Sequence, residues 1–237
     1  MVYQRPQDLA YPKVWCRFRV KNPNSGVEMK FKVQDLSEDM HEDAMKLLSK
    51  YFMRDEPPCK HIEIQKYPSA VAELEKLWSK TLKDKLSLVC LEDVEGSKNI
   101  VGLNVLTVVQ KDDSDEPFQT DDKIWAKLFG AVDLVTRSVN IFERYDVDKY
   151  LTAYGLVVRP RIQGHEHRER DIEGEPKGAR RANNLISQTF RGILIGRRGA
   201  AAAPRNCGCR PTSLNLRERN DIGDALGTFV GFRALWN

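Results

Sequence analysis

Apolar and polar positions alternate from Met29 to Val33 until Gln34-Asp35 and Ser37 interrupt the run, which predicts a strand leading into a helix cap. From Glu38 to Phe52 the apolar residues Met40, Ala44, Leu47, Leu48 and Tyr51 recur at helical spacing, with Ser37 as the expected N-cap. Asp55-Glu56-Pro57-Pro58 should end that helix, because proline restricts its predecessor and cannot continue the hydrogen-bond ladder. Val71, Leu74, Leu77, Trp78 and Leu82 mark a second amphipathic helix.

Leu86 to Leu91 and Ile100 to Val109 are compact runs of strand formers, and Asp93 to Lys98 between them reads as the turn of a hairpin. Ile124, Leu128, Val132, Val135, Val139 and Phe142 predict one long helix with a wide apolar face. Tyr150 to Val158 then reads as a buried strand that stops at Arg159-Pro160. The order β-α-α-β-β-α-β implies an α/β fold built on a mixed sheet. The chain contains no internal repeat.

Composition bounds the class. The 237 residues are 41% hydrophobic and 30% charged, ordinary for a globular chain long enough to bury a core. No apolar stretch approaches the ~20 residues that span a bilayer, and the N-terminus lacks the pattern of a secretory signal. Five cysteines at irregular spacings (Cys16, Cys59, Cys90, Cys207 and Cys209) are no disulfide framework, so reduced thiols and a cytoplasmic location are expected. The net charge of +4 is too small to imply nucleic acid, and neither nucleic acid nor membrane is expected as a partner.

That small charge hides a division. Residues 1–158 carry 17 Lys and 6 Arg against 26 acids, whereas residues 159–237 carry 1 Lys and 14 Arg against 8 acids. Ten of the fifteen glycines also lie in the last third. Residues 10–160 are therefore read as one α/β domain and residues 161–237 as an irregular, partly disordered tail.

Two stretches resemble the insect type of arylalkylamine N-acetyltransferase, within the GNAT superfamily of acyl-CoA N-acyltransferases. Tyr51-Phe52-Met53-Arg54-Asp55-Glu56-Pro57 is similar to that family's helix end and Asp-Glu-Pro turn. Tyr150-Leu151-Thr152-Ala153-Tyr154-Gly155-Leu156-Val157-Val158-Arg159-Pro160 is similar to its central strand, and the resemblance covers about residues 27–160.

The resemblance implies transfer of acetyl from acetyl-CoA, as cosubstrate, to a small aromatic amine such as dopamine or serotonin, without a metal. Glu56 matches the family's general base. An arylalkylamine is an ammonium at neutral pH and must lose a proton before attacking a thioester, which a carboxylate can accept directly or through a water. Taken alone, two acids before proline more often just solvate a helix end. The resemblance further implies that Leu156, Val157 and Val158 hold the cofactor through main-chain groups of a splayed strand.

Beyond the strand the family places a loop of small residues whose amides hold the CoA pyrophosphate. Here Gln163 and Gly164 match that loop and are the expected cofactor contacts, but Glu166 and Arg168 stand where small residues belong. Two readings stay open: an N-acetyltransferase, or a noncatalytic binding protein derived from the same fold. His165-Glu166-His167 and Cys207-Gly208-Cys209 lack the partner ligands of a metal site. Trp15, Trp78 and Trp125 are expected to pack in the core or line a substrate pocket, and His41 and His61 to be surface or packing residues.

Read one nucleotide later, codons for Arg161 to Ile172 can encode Glu-Tyr-Arg-Gly-Met-Ser-Ile-Ala-Ser-Glu-Ile-Leu, which restores the small residues of such a loop. The tail is thus expected to come from a shifted reading frame or a misjoined gene model. Sequencing the coding DNA should show this loop in the alternative frame, and its absence there would end the idea.

Overall fold

The computed structural model describes residues 5, 8–21, 26–113 and 119–159. Five strands form one sheet in the order β1-β2-β3-β4-β5, each antiparallel to its neighbour. They are β1 (Val14–Lys21), β2 (Glu28–Asp35), β3 (Leu88–Glu92), β4 (Ile100–Gln110) and β5 (Lys149–Val158). Helices α1 (His41–Leu47), α2 (Met53–Asp55), α3 (Pro57–His61) and α4 (Pro68–Leu82) connect β2 to β3. Helices α5 (Lys123–Arg137) and α6 (Ile141–Tyr145) connect β4 to β5. The α/β class expected from the pattern is the one observed, but the sheet, expected to be mixed, is antiparallel at every pairing among the described residues.

The two sheet faces carry separate apolar clusters. On one, α1, α4 and α5 bury Ala44, Leu48, Leu74, Trp78 and Trp125 against Val89, Leu103, Val105 and Val157. On the other, Phe18, Phe31, Leu88, Cys90 and Leu106 lie together, with Leu156 and Val158 against them. This alternation along each strand follows from the two-residue side-chain period.

β1 is an element that the pattern reading did not include. Cys16, Phe18 and Val20 are buried and alternate with exposed Arg17, Arg19 and Lys21. At its start, Asp35 anchors the N-terminal segment. Its fully buried carboxylate accepts from the Arg5 guanidinium at 2.7 Å, the Lys13 N–H at 3.0 Å and the Trp15 indole at 2.8 Å.

Three other expectations need correction. Ser37 stands at the N-cap of a 3₁₀ turn (Glu38–Met40), not of α1, and its side chain makes no capping bond. The helix predicted from Ile124 to Phe142 is two helices, because the Asn140 side chain takes the Glu143 N–H and starts α6 with extended backbone. Val135 is also 44% exposed and neighbouring Leu134 73%, so the outer end of α5 is not a core face among the described residues.

Between α1 and α2 the helix widens into a π-helical turn over Leu48–Phe52. Such turns add a residue to the helical circuit and redirect the side chains after it, often at functional sites. This one presses on β5. A Cβ at Gly155 would stand 3.4 Å from Leu48 Cδ2, 3.4 Å from Trp78 Nε1 and 3.6 Å from Phe52 Cε2. Alanine therefore fits at contact distance, whereas valine brings two further carbons into filled space. Gly155→Ala should unfold in urea close to wild type, and Gly155→Val should cost about 1–3 kcal/mol by overpacking. Equal stability of the two variants would contradict this packing.

Candidate active site

Tyr154 is the extra residue of a β-bulge. Val105 pairs with Gly155 and Leu106 with Ala153, so Tyr154 has no register partner on β4. Bulges re-aim backbone groups and are over-represented beside active sites. The Tyr154 carbonyl accepts the Trp78 indole N–H at 2.9 Å. A buried indole needs such a partner, and Trp78 has no solvent exposure. The bulge is thus fixed by a side chain that crosses from α4.

After the bulge, Leu156, Val157 and Val158 pair with Asn104, Leu103 and Gly102 on β4. Among the described residues no strand pairs with the other edge of β5. Main-chain groups on that edge are the kind of donors and acceptors that an extended amide chain can take. Gln163 and Gly164 lie outside the described residues, as do His165, His167, Cys207 and Cys209.

Glu56 sits one helical turn beyond Phe52, and its N–H donates to the Phe52 carbonyl at 2.8 Å. The Phe52 ring meets Trp78 edge-on with centroids 5.3 Å apart. Glu56, Phe52, Trp78 and the Tyr154–Gly155 bulge therefore form one continuous contact chain. The sequence reading joined Glu56 to β5 only through resemblance; here packing brings their elements together.

The Asp-Glu-Pro-Pro turn does end α2 at Asp55, with Glu56 in extended conformation (φ −65°, ψ 122°). Pro57 then occupies the first position of α3, where its missing N–H costs nothing. Glu56 is the N-cap of that helix, and its Oε2 accepts the Cys59 N–H at 2.9 Å. Glu56 is only 8% exposed. Burial raises its pKa above the ordinary carboxylate value, and the hydrogen bond from the Cys59 backbone N–H partly opposes that rise.

Aromatic rings extend from the bulge. Trp125 stacks on Phe129 at 5.1 Å, and Phe129 meets Tyr154 at 6.5 Å. Burial pushes the Tyr154 phenol up, so it stays neutral at working pH. Trp125 and Trp78 are buried, and Trp15 is tied to Asp35. The pattern reading did not single out the bulge, because register with β4 is a tertiary property. The one local cue was Gly155 inside a strand of bulky residues.

Among the described residues no group of three His, Cys, Asp or Glu side chains could hold a metal. No described helix is long and apolar enough to cross a membrane.

No protein-family model and no curated sequence matches the chain. Solved structures do. The Aedes aegypti protein assigned as arylalkylamine N-acetyltransferase 7 is 32% identical, with a TM-score of 0.68 over 82% of this chain and 74% of the mosquito chain. Arylalkylamine N-acetyltransferase 2 of the same mosquito shares the fold at 19% identity and a TM-score of 0.54, over 83% and 82% of the two chains. At that identity and coverage by the first of these structures, this chain belongs to the insect arylalkylamine N-acetyltransferase family of the GNAT fold.

Proposed function

We propose that this protein is an acetyl-CoA-dependent N-acetyltransferase whose acceptor is a small arylalkylamine. The observation that carries the reading is a buried carboxylate, Glu56, on a turn packed through Phe52 against the bulge of β5, whose other edge has no partner strand among the described residues.

Glu56 would take the proton of the ammonium, directly or through one water. Its raised proton affinity makes it a stronger acceptor than a solvated glutamate. The freed nitrogen lone pair attacks the thioester carbonyl, the C–N bond forms as the C–S bond breaks, and CoA leaves as thiolate. Leu156, Val157 and Val158 would offer main-chain groups on the edge of β5 away from β4 to the amide arm of acetyl-CoA and to its thioester oxygen. Gln163 and Gly164 are proposed for the pyrophosphate. Trp125, Phe129 and Tyr154 supply apolar wall for an aromatic acceptor, and apolar rings are what a small aryl group needs to leave water. Three buried free thiols, Cys16, Cys59 and Cys90, suit a reducing cytoplasmic setting.

The noncatalytic alternative is favoured by one feature, the Glu166 and Arg168 side chains in the loop that should receive a diphosphate. Calorimetric titration with acetyl-CoA separates the two. The enzyme reading expects binding near the micromolar range, and absence of heat at millimolar concentration would support the alternative. In the active protein, Glu56→Gln should lower kcat by about a hundredfold or more and leave acetyl-CoA affinity unchanged. Full activity in that variant would remove Glu56 from the role. Because the base must be ionised, the acid limb of the rate profile should lie above the pH at which an ordinary glutamate titrates.

A further inference from the structure

The helix side of the sheet carries a polar patch next to the bulge. Leu106 and Val108 flank Thr107 on β4, and Leu151 and Ala153 flank Thr152 on β5; all four lie in or against the cluster on the opposite face. By the two-residue alternation, Thr107 and Thr152 therefore point toward the helices. They are register partners, so their side chains stand side by side. Tyr154, two residues along, packs on the same face and meets Phe129.

Thr107 is committed, since its Oγ1 donates at 2.6 Å to Asp84 Oδ2 in the turn after α4. Thr152 is not. It is 8% exposed, and its hydroxyl makes no hydrogen bond among the described residues. A valine would fill the same volume without leaving a buried hydroxyl unpaired. Among the described residues no cation pairs with Asp84, and no hydrogen bond reaches its Oδ1. The other two carboxylates that act on the Tyr154 phenol are occupied. Asp113 accepts the Gln110 N–H at 2.8 Å, and Asp133 pairs with Arg137 at 2.9 Å.

We propose that Thr152 and Asp84 set acceptor specificity by taking a hydroxyl on the aryl ring, at the end remote from the reacting nitrogen. The proposal rests on the acyl-transfer reading and extends it to the chemistry of the ring. A ring hydroxyl both donates and accepts: its O–H goes to the Asp84 carboxylate, and its oxygen takes the Thr152 O–H. From Tyr154 back to Thr152 the strand rises about 7 Å, comparable with an arylethylamine from its nitrogen to the far edge of its ring. Phe129 and Tyr154 flank the ring between those ends. An unsubstituted ring would exclude water from Thr152 and Asp84 and give them nothing in return.

The test compares tyramine with phenethylamine, which lacks only the ring hydroxyl, as acceptors for wild type, Thr152→Val and Asp84→Asn, with thermal unfolding of each. Wild type should favour tyramine by about tenfold or more in kcat/KM. Each substitution should lower that ratio several-fold, with the greater loss on tyramine. Asp84→Asn keeps an oxygen for Thr107 and removes the charge. Should Thr152→Val not fold, Asp84→Asn carries the comparison. A wild-type ratio near one, or a loss equal for the two amines in the variants, would overturn this proposal alone, because acetylation of either amine upholds the acyl-transfer reading. A wild-type protein that binds no acetyl-CoA and acetylates neither amine overturns both.

Discussion

One hydrogen bond organises the candidate site: the indole of Trp78 donating to the carbonyl of Tyr154. It ties α4 to β5 at the single residue where β5 leaves register with β4. With Leu48 and Phe52, Trp78 fills the space that a side chain larger than alanine's would take at position 155. The glycine lets the π-helical turn approach the strand. That approach carries Glu56, one turn further along, to the same side of the sheet. Remove the indole and a half-buried carbonyl on the bulge loses its partner, which costs about 1 kcal/mol besides the cavity.

Glu56 is placed by one set of forces and tuned by another. Proline at the first position of α3 and the Cys59 amide fix it as a helix cap. Burial then raises its hold on a proton, and the Cys59 amide keeps that rise in check. A cap in solvent would gain from the same amide but would remain a weak base. The combination of cap and burial gives a carboxylate that holds a proton more tightly than a solvated glutamate.

Most of the fold was legible from hydrophobic period. The strands at β2, β3, β4 and β5 and the helices at α1 and α4 fall where the apolar positions indicate them. β1 was equally readable, since Cys16, Phe18 and Val20 alternate with three cations. The break between α5 and α6 was not, because Val139 and Phe142 continue the helical period through the Asn140 cap. At the site, Glu56 and the strand Leu156 to Val158 could be named from the letters through family resemblance. The bulge at Tyr154 and the π turn could not. Register, helix widening and side-chain burial arise only when separate elements pack.

The central claim is that Glu56 and the edge of β5 away from β4 serve one thioester-using pocket. A crystal structure with CoA joined through its sulfur to the nitrogen of an arylalkylamine by an acetyl linker tests it most directly. The account predicts the linked nitrogen within hydrogen-bond reach of the Glu56 carboxylate or one water from it, with amides of the CoA arm on Leu156 to Val158. A conjugate seated elsewhere, or one whose nitrogen lies beyond a single water from Glu56, would contradict it.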